Sequence, residues 1–464
     1  MSAPAEAGQQ APLKRSTLAF YGLPALPISA AGVPIAVYLA PLYTSKEIGL
    51  NLALVGAIIM LSRIWDGVSD PMIGRLSDTI VTRFGRRKPW LLAGTPLTMI
   101  AVYYLFIPPD GASWLYFLVW IVLFYTGWTM VTLPFGAWGA EISPEYAERS
   151  RVAGAREAWS LVGTLVSVIV PGVAFFLGVT GIQNTMIVLA WAVIVLFPLC
   201  IIIPIMTVAD RASSNRSNQD WKRGLRIIWH NGPFKRLLIA FAVQGMGRQF
   251  VAILFVLYTI HVIKAPDAPP LVLAGYFGAG IVGIPLWVKL SNLIGKHRAW
   301  LVSMFVFNIP LVCALPLGAG DIVPFTILAT IAGLSVAAGT VLPLAMKADV
   351  IDIDTLRSKE QRTGLFFALW GIADKLSIAV AAFLALSILA AFGFDPKIDN
   401  GPNALLALSV CFLLLPSLFS IGAAILIWNY PITSERHRRI RDRLQRRRQK
   451  VQMGSMASGE RSSL

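Results

Sequence analysis

Asp66 and Asp70 stand four residues apart in the apolar segment LSRIWDGVSDPMIGRLSD, and Arg63 lies three residues before the first of them. On an α-helix these positions fall at i, i+3 and i+7, so one face carries two carboxylates and a guanidinium. A carboxylate at the bilayer centre costs about 2.5 to 3.5 kcal/mol even on the lenient insertion scale, so such a face turns away from lipid and needs a cation. Paired carboxylates suit a small hard cation that also accepts hydroxyl and carbonyl oxygens. They equally suit a proton, because two neighbouring carboxylates do not both ionise readily in a dry site. Arg63 reads as a lock between helices, and one arginine cannot neutralise both aspartates. The pair reads as a cation-coupling site for Na+ or H+, with no other metal expected.

The elements that must hold this face are membrane spans. Of the 464 residues, 56% are hydrophobic and 14% charged, whereas a soluble domain carries about 25% charged residues. Stretches of the roughly 20 apolar residues needed to cross a bilayer fall at 19–42, 50–74, 89–108, 114–139, 154–178, 183–207, 235–262, 271–293, 299–317, 322–346, 363–392 and 403–430. The expected fold class is an all-α membrane protein of twelve transmembrane helices in two six-helix halves. The first apolar run is too long and too rich in Pro and Gly for a cleaved leader, so it is expected to stay in the membrane. Cys200, Cys313 and Cys411 fall inside spans without metal-ligand spacing and read as packing residues.

A net charge of +16 raises the question of nucleic acid, and the distribution answers it. Basic residues cluster at 14–15, 83–88, 149–156, 211–236, 296–298, 347–362 and 436–450, all on one side of a twelve-span chain, while the opposite loops hold Lys46, Lys264 and Lys397. This is the positive-inside pattern, and it places both termini in the cytoplasm of an integral plasma-membrane protein, with a bacterial inner membrane expected. The tail reads as lying on anionic lipid headgroups. It lacks interleaved aromatics to stack bases, so nucleic acid is not an expected partner.

The two halves echo each other. PMIGRLSDTIVTRFGRRKPW closes span two and PLWVKLSNLIGKHRAW closes span eight, so that Pro71 matches Pro285, Arg75 matches Lys289, Gly85 matches Gly295 and Trp90 matches Trp300. After spans four and ten, AEI at 140–142 followed by Arg151 and Trp159 mirrors ADV at 348–350 followed by Arg362 and Trp370. Two echoes in matched order indicate duplicated halves around a central cavity. The expected organisation is 1–207 as the first half, 208–232 as a central cytoplasmic loop, 233–431 as the second half and 432–464 as a basic cytoplasmic tail.

RIWDGVSDPMIG followed by FGRRKPW resembles the signature of the glycoside-pentoside-hexuronide:cation symporter family, a melibiose permease-like branch of the major facilitator superfamily. The likeness runs from YGLPAL in span one to the ADK of span eleven. It implies that Asp66 and Asp70 are the cation-binding carboxylates and that Thr129, in WTMVTLPFGAW, adds an oxygen to them. It also implies that Lys375, in FFALWGIADKLS, approaches the aspartates; an ammonium there would compete with the cation for the same charge. A pair between Lys375 and Asp374 is the plainer reading, although adjacent helical residues do not face each other. The chain departs from the sugar-binding members at Ser29 and Thr132, where they hold galactosyl hydroxyls with aspartates. Hydroxyls still bond a polyol but lack charge-assisted strength. Arg156 falls near a substrate-orienting arginine of the fifth span.

Trp128 and Trp370, with Trp138 and Trp159, offer faces for a sugar ring, though tryptophan is also common at membrane interfaces. Arg248, inside span seven, either meets an anionic solute or pairs structurally. Asp349, Asp352 and Asp354 precede span eleven on the cytoplasmic side. A DxD pair can hold a divalent metal in a transferase, yet no His or Cys cluster or phosphate loop accompanies it, so the chain is not expected to be an enzyme. A gate fits better: these carboxylates of one half against Arg86, Arg87 and Lys88 of the other. Pro and Gly in span one break helical regularity where carriers bend. The expected function is Na+- or H+-coupled symport, without cofactor and as a monomer, of a sugar, glycoside or uronide by alternating access. The alternative keeps the fold and carries a lysolipid or another amphipathic compound.

Overall fold

The computed structural model describes residues 13–80, 82–142, 146–208, 231–358 and 363–431. The central stretch 209–230, the tail from 432 onward and the Asp352 side chain lie outside the described residues. Eleven helical segments among the described residues are long and apolar enough to cross a membrane. The first unit holds α1 (Arg15–Tyr43), α2 (Leu52–Thr79), α3 (Lys88–Phe106), α4 (Trp114–Glu141), α5 (Tyr146–Phe176) and α6 (Ile182–Thr207). The second holds α7 (Gly232–His261), α8 (Pro269–Ile294), α9 (Lys296–Cys313), α10 (Ile322–Gly333 and Val336–Ser358), α11 (Thr363–Ala391) and α12 (Pro402–Trp428). The shorter α9 completes the second set of six; it opens on Lys296, His297 and Arg298, which dilute its apolar character. These twelve helices and the absence of strands among the described residues give the all-α, two-times-six architecture of the major facilitator fold.

The chain divides into two compact units, Met1–Arg216 with Asp395–Asp399, and Ser217–Phe394 with Asn400–Leu464. The short excursion at 395–399 belongs with the first unit, where Lys397 Nζ donates to the Gly49 carbonyl at 2.7 Å.

Local chemistry explains where the helices start and bend. Asn51 caps α2 by accepting from Ala53 N at 2.9 Å, Ser113 caps α4 by accepting from Tyr116 N, and Asn231 caps α7 by accepting from Phe234 N. α1 is broken into Arg15–Gly22, Ala25–Val33, a π-turn over Pro34–Tyr38 and Leu39–Tyr43. Pro24 and Pro34 lack the N–H that a continuous helix would use. α12 carries a second π-turn, Val410–Leu414, just before Pro416.

Packing within each unit relies on close backbone approach. In the first unit a Cβ at Gly163 of α5 would fall on the Leu26 carbonyl of α1, and in the second a Cβ at Gly333 of α10 would fall on the Tyr276 carbonyl of α8. The second unit's core gathers Phe234 and Phe241 from α7, Trp300 and Met304 from α9, and Phe366 and Trp370 from α11. Large apolar side chains are left exposed, among them Val68 and Met72 on α2 and Ile421 and Ile425 on α12, as suits helices that cross lipid.

Candidate functional site

The residues of the α2 face meet α4. Asp66 is 3% exposed and Thr129 1% exposed, while Asp70 is half-buried. Thr129 Oγ1 stands 3.0 Å from Asp66 Oδ1 and 3.1 Å from Asp70 Oδ1. A hydroxyl has one hydrogen to donate, so it satisfies one carboxylate while its lone pair faces the other. Three oxygens thus converge from two helices, an arrangement whose chemistry suits a small cation or a shared proton.

Arg63 is the nearby cation of α2, with Nη1 3.7 Å from Asp66 Oδ2 and its guanidinium 4.2 Å from the Tyr125 ring centroid on α4. That places Arg63 between the two helices, against Asp66 on one and the Tyr125 ring on the other. A second tie runs from Trp65 Nε1 to Thr126 Oγ1 at 2.9 Å. Ser69, fully buried beside Asp70, returns its hydroxyl to the Asp66 carbonyl. No motif in the sequence marks Tyr125, although it lies one turn before Thr129 on the same α4 face.

Among the proposed solute contacts, Ser29 Oγ and Ser160 Oγ lie 2.6 Å apart, which links α1 to α5. Thr132 and Trp128 are half-buried on α4, with the Trp128 ring 5.3 Å from Phe124. Arg156 is exposed, with Nη1 4.0 Å from where a Cβ on Gly136 would sit. Trp370 belongs to the second unit's core, where Phe241 stacks on it at 4.2 Å and Lys347 Nζ lies 4.8 Å from its centroid. Lys347 is itself 2% exposed and lies 3.5 Å from the Phe367 ring centroid. The only hint of it in the sequence is a single positive charge in VLPLAMKADV. Lys375 lies half-buried on α11.

The basic residues of the loop before α3 find partners inside their own unit. Arg86 Nη2 and Arg87 Nη2 reach Glu141 Oε1 at 2.6 and 2.7 Å, Arg87 Nη2 also reaches Asp78 Oδ1 at 2.6 Å, and Lys88 Nζ donates to the Ile205 carbonyl. Burial disfavours the Arg87 charge, but hydrogen bonding and attraction to Glu141 and Asp78 outweigh it and hold its pKa above the ordinary arginine value. In the second unit Lys296 Nζ reaches Asp349 Oδ1 at 2.6 Å, and Asp354 is buried. Nothing in the sequence pointed to Glu141 and Asp78 as partners, although Glu141 is the centre of the AEI echo.

A membrane-embedded bundle of two six-helix units, with paired carboxylates on a span, defines a secondary transporter of the major facilitator type. The chain belongs to the MFS/sugar transport protein family, whose model matches residues 20–434. It is 24% identical over 469 residues to the sodium-dependent lysophosphatidylcholine symporter 1 of Gallus gallus, covering 92% of this chain and 88% of that protein. It is 25% identical over 514 residues to an uncharacterized symporter of Synechocystis sp., covering 89% and 94%. A crystal structure of the nucleoside transporter NupG, at 11% identity, superposes with a TM-score of 0.65 over 90% of this chain and 100% of that one. The expected melibiose permease-like affinity thus gives way to the broader major facilitator assignment, because the named relative is a lysophosphatidylcholine symporter.

Proposed function

We propose that the chain is a sodium-coupled symporter of a lysolipid or a closely related amphipathic compound. The observation that carries the coupling is the Asp66–Thr129–Asp70 oxygen cluster. Na+ bound there would supply oxygen-coordinated positive charge beside Arg63 and lower the cost of rearranging two carboxylates inside the membrane. The sodium dependence in the relative's name favours Na+ over H+.

The cargo follows from two lines. A relative that matches over 92% of the chain is named for lysophosphatidylcholine. At Ser29 the chain offers a hydroxyl already engaged with Ser160 instead of a carboxylate for sugar hydroxyls. The lysolipid reading therefore displaces the sugar, glycoside or uronide expected from sequence. Ion and solute then bind with mutual enhancement, and alternating access carries them together. Ser29, Thr132, Arg156, Trp128 and Trp370 stay proposed solute contacts, Lys375 the proposed coupling residue, and Arg86, Arg87, Lys88, Asp349, Asp352 and Asp354 proposed gating residues. The proposed working form is a monomer in a bacterial inner membrane. The loop charges support cytoplasmic termini, with the basic tail on anionic lipid.

Uptake into proteoliposomes tests this reading, with labelled lysophosphatidylcholine and a panel of sugars, each under an imposed Na+ or H+ gradient. Na+-driven lysophosphatidylcholine accumulation is the expected result. Accumulation of a sugar alone, or lysolipid movement indifferent to Na+, overturns it.

A further inference from the structure

Arg248 lies on α7, deep within a membrane span. Its surroundings come from four helices of the second unit. The guanidinium rests against Gly339 of α10, where a Cβ would stand 3.1 Å from Nη1, so the residue without a side chain leaves the notch it occupies. Phe241, two turns earlier on α7, lies with its ring centroid 5.9 Å from Cζ and is itself fixed by stacking on Trp370. Asp374 of α11 and Tyr276 of α8 are ionisable groups that act on it electrostatically. Arg248 Nε is buried without a hydrogen-bond partner among the described residues.

An N–H of a guanidinium left unsatisfied at membrane depth is expensive, and a structure that merely needed packing would place an apolar residue there. The guanidinium is a planar fork whose geometry matches the oxygens of a phosphate. The Gly339 notch and the Phe241 ring both border that fork, which restricts its rotamers and pre-organises it. Asp374 adds selectivity of charge. Its carboxylate opposes a second negative charge on the ligand and favours a positive one.

We propose that Arg248 docks the phosphodiester of a zwitterionic headgroup, with Asp374 on the side of the ligand's cationic end. The inference rests on the lysolipid reading above and deepens it. It assigns the headgroup class: phosphate with a compensating cation, in preference to a dianionic phosphate or to an amphiphile without phosphate. Arg248 would recognise the headgroup and take no part in ion binding.

The test is equilibrium binding to the purified full-length protein in nanodiscs, with radiolabelled lysophosphatidylcholine, lysophosphatidate and monoacylglycerol of one acyl chain. Wild type is expected to prefer lysophosphatidylcholine to monoacylglycerol by about tenfold or more, as charge-assisted hydrogen bonds provide, and Arg248→Gln to reduce that preference to about twofold. Arg248→Lys, which keeps the charge and loses the fork, should fall between them. Gly339→Ala, which fills the notch and leaves every charge in place, should weaken lysophosphatidylcholine and spare monoacylglycerol. Asp374→Asn should improve lysophosphatidate relative to lysophosphatidylcholine. Retention of the full preference in well-folded Arg248→Gln overturns the assignment, as does a wild type that binds all three amphiphiles equally. A wild type that binds none of them refutes the lysolipid reading first, and this inference falls with it.

Discussion

Arg86 holds Glu141 at 2.6 Å between the α2–α3 loop and the end of α4, and the second unit repeats the arrangement with Lys296 and Asp349 at the same 2.6 Å. Arg86 stands four residues before Trp90, and Lys296 four before Trp300; Glu141 and Asp349 are the centres of AEI and ADV. The internal repeat is thus preserved as an ion pair. Its two copies differ in the burial of the cation, while both carboxylates are 11% exposed. Arg87, at 5% side-chain exposure, joins Arg86 on a Glu141 that is 11% exposed, whereas the Lys296 side chain is 37% exposed.

The difference in burial sets unequal consequences. Glu141→Ala leaves two guanidiniums without their shared carboxylate, and breaking a buried pair of this kind is expected to cost about 3 kcal/mol. Asp349→Ala removes the partner of a half-exposed lysine and is expected to cost about 1 kcal/mol or less. Thermal unfolding in detergent measures both. Equal losses would show that the first-unit cluster gains nothing from its burial.

The helical period makes the Arg63, Asp66 and Asp70 face legible, because three charges at i, i+3 and i+7 in an apolar run must share one face turned away from lipid. Thr129 is not legible in that way. A threonine in an apolar span is ordinary, and only the family resemblance singles it out. The Glu141 pairing is half-visible: the echo marks the position, but no local rule links residues 55 apart in the chain. Gly339 and Arg248 lie farther apart still, and their contact depends on how α7 and α10 approach. The span expected at 299–317 begins earlier in the structure, since its helix opens on the charged residues Lys296 to Arg298, which hydropathy assigns to the loop.

Close approach of α1 and α5 predicts a steric limit. A methyl group at Gly163 would meet the Leu26 carbonyl, a backbone atom that cannot swing aside as a side-chain tip would. Gly163→Ala is expected to destabilise the first unit by about 1 to 3 kcal/mol, the range for overpacking. Gly154, on the same helix with nothing within 4 Å of a built Cβ, is the control. Gly154→Ala should leave the unfolding temperature unchanged or slightly raised.

Lys375→Ala tests the proposed coupling residue. Coupling is a reciprocal free energy, so loss of the linking element should diminish equally the effect of Na+ on solute affinity and the effect of solute on Na+ affinity. Solute affinity itself should change less than the mutual enhancement. Binding titrations of each ligand at zero and saturating levels of the other provide the measurement. Undiminished enhancement in the variant removes Lys375 from the coupling scheme.

The oxygen cluster makes the sharpest demand. Asp70→Asn and Asp66→Asn each remove a charge without opening a cavity, so both should fold and both should lose Na+-driven accumulation. Thr129→Val separates the hydroxyl from the shape, because valine keeps the branched outline and lacks the oxygen. Losing one oxygen from a cation site should weaken Na+ about tenfold, the weight of a charge-assisted contact, while Thr129→Ser should retain most of the affinity. The Na+ concentration for half-maximal stimulation of uptake reads these effects directly. Wild-type Na+ dependence in Thr129→Val would mean that the hydroxyl only buttresses the carboxylates. Gradient-driven uptake at wild-type rates in both aspartate variants would place the ion elsewhere in the molecule.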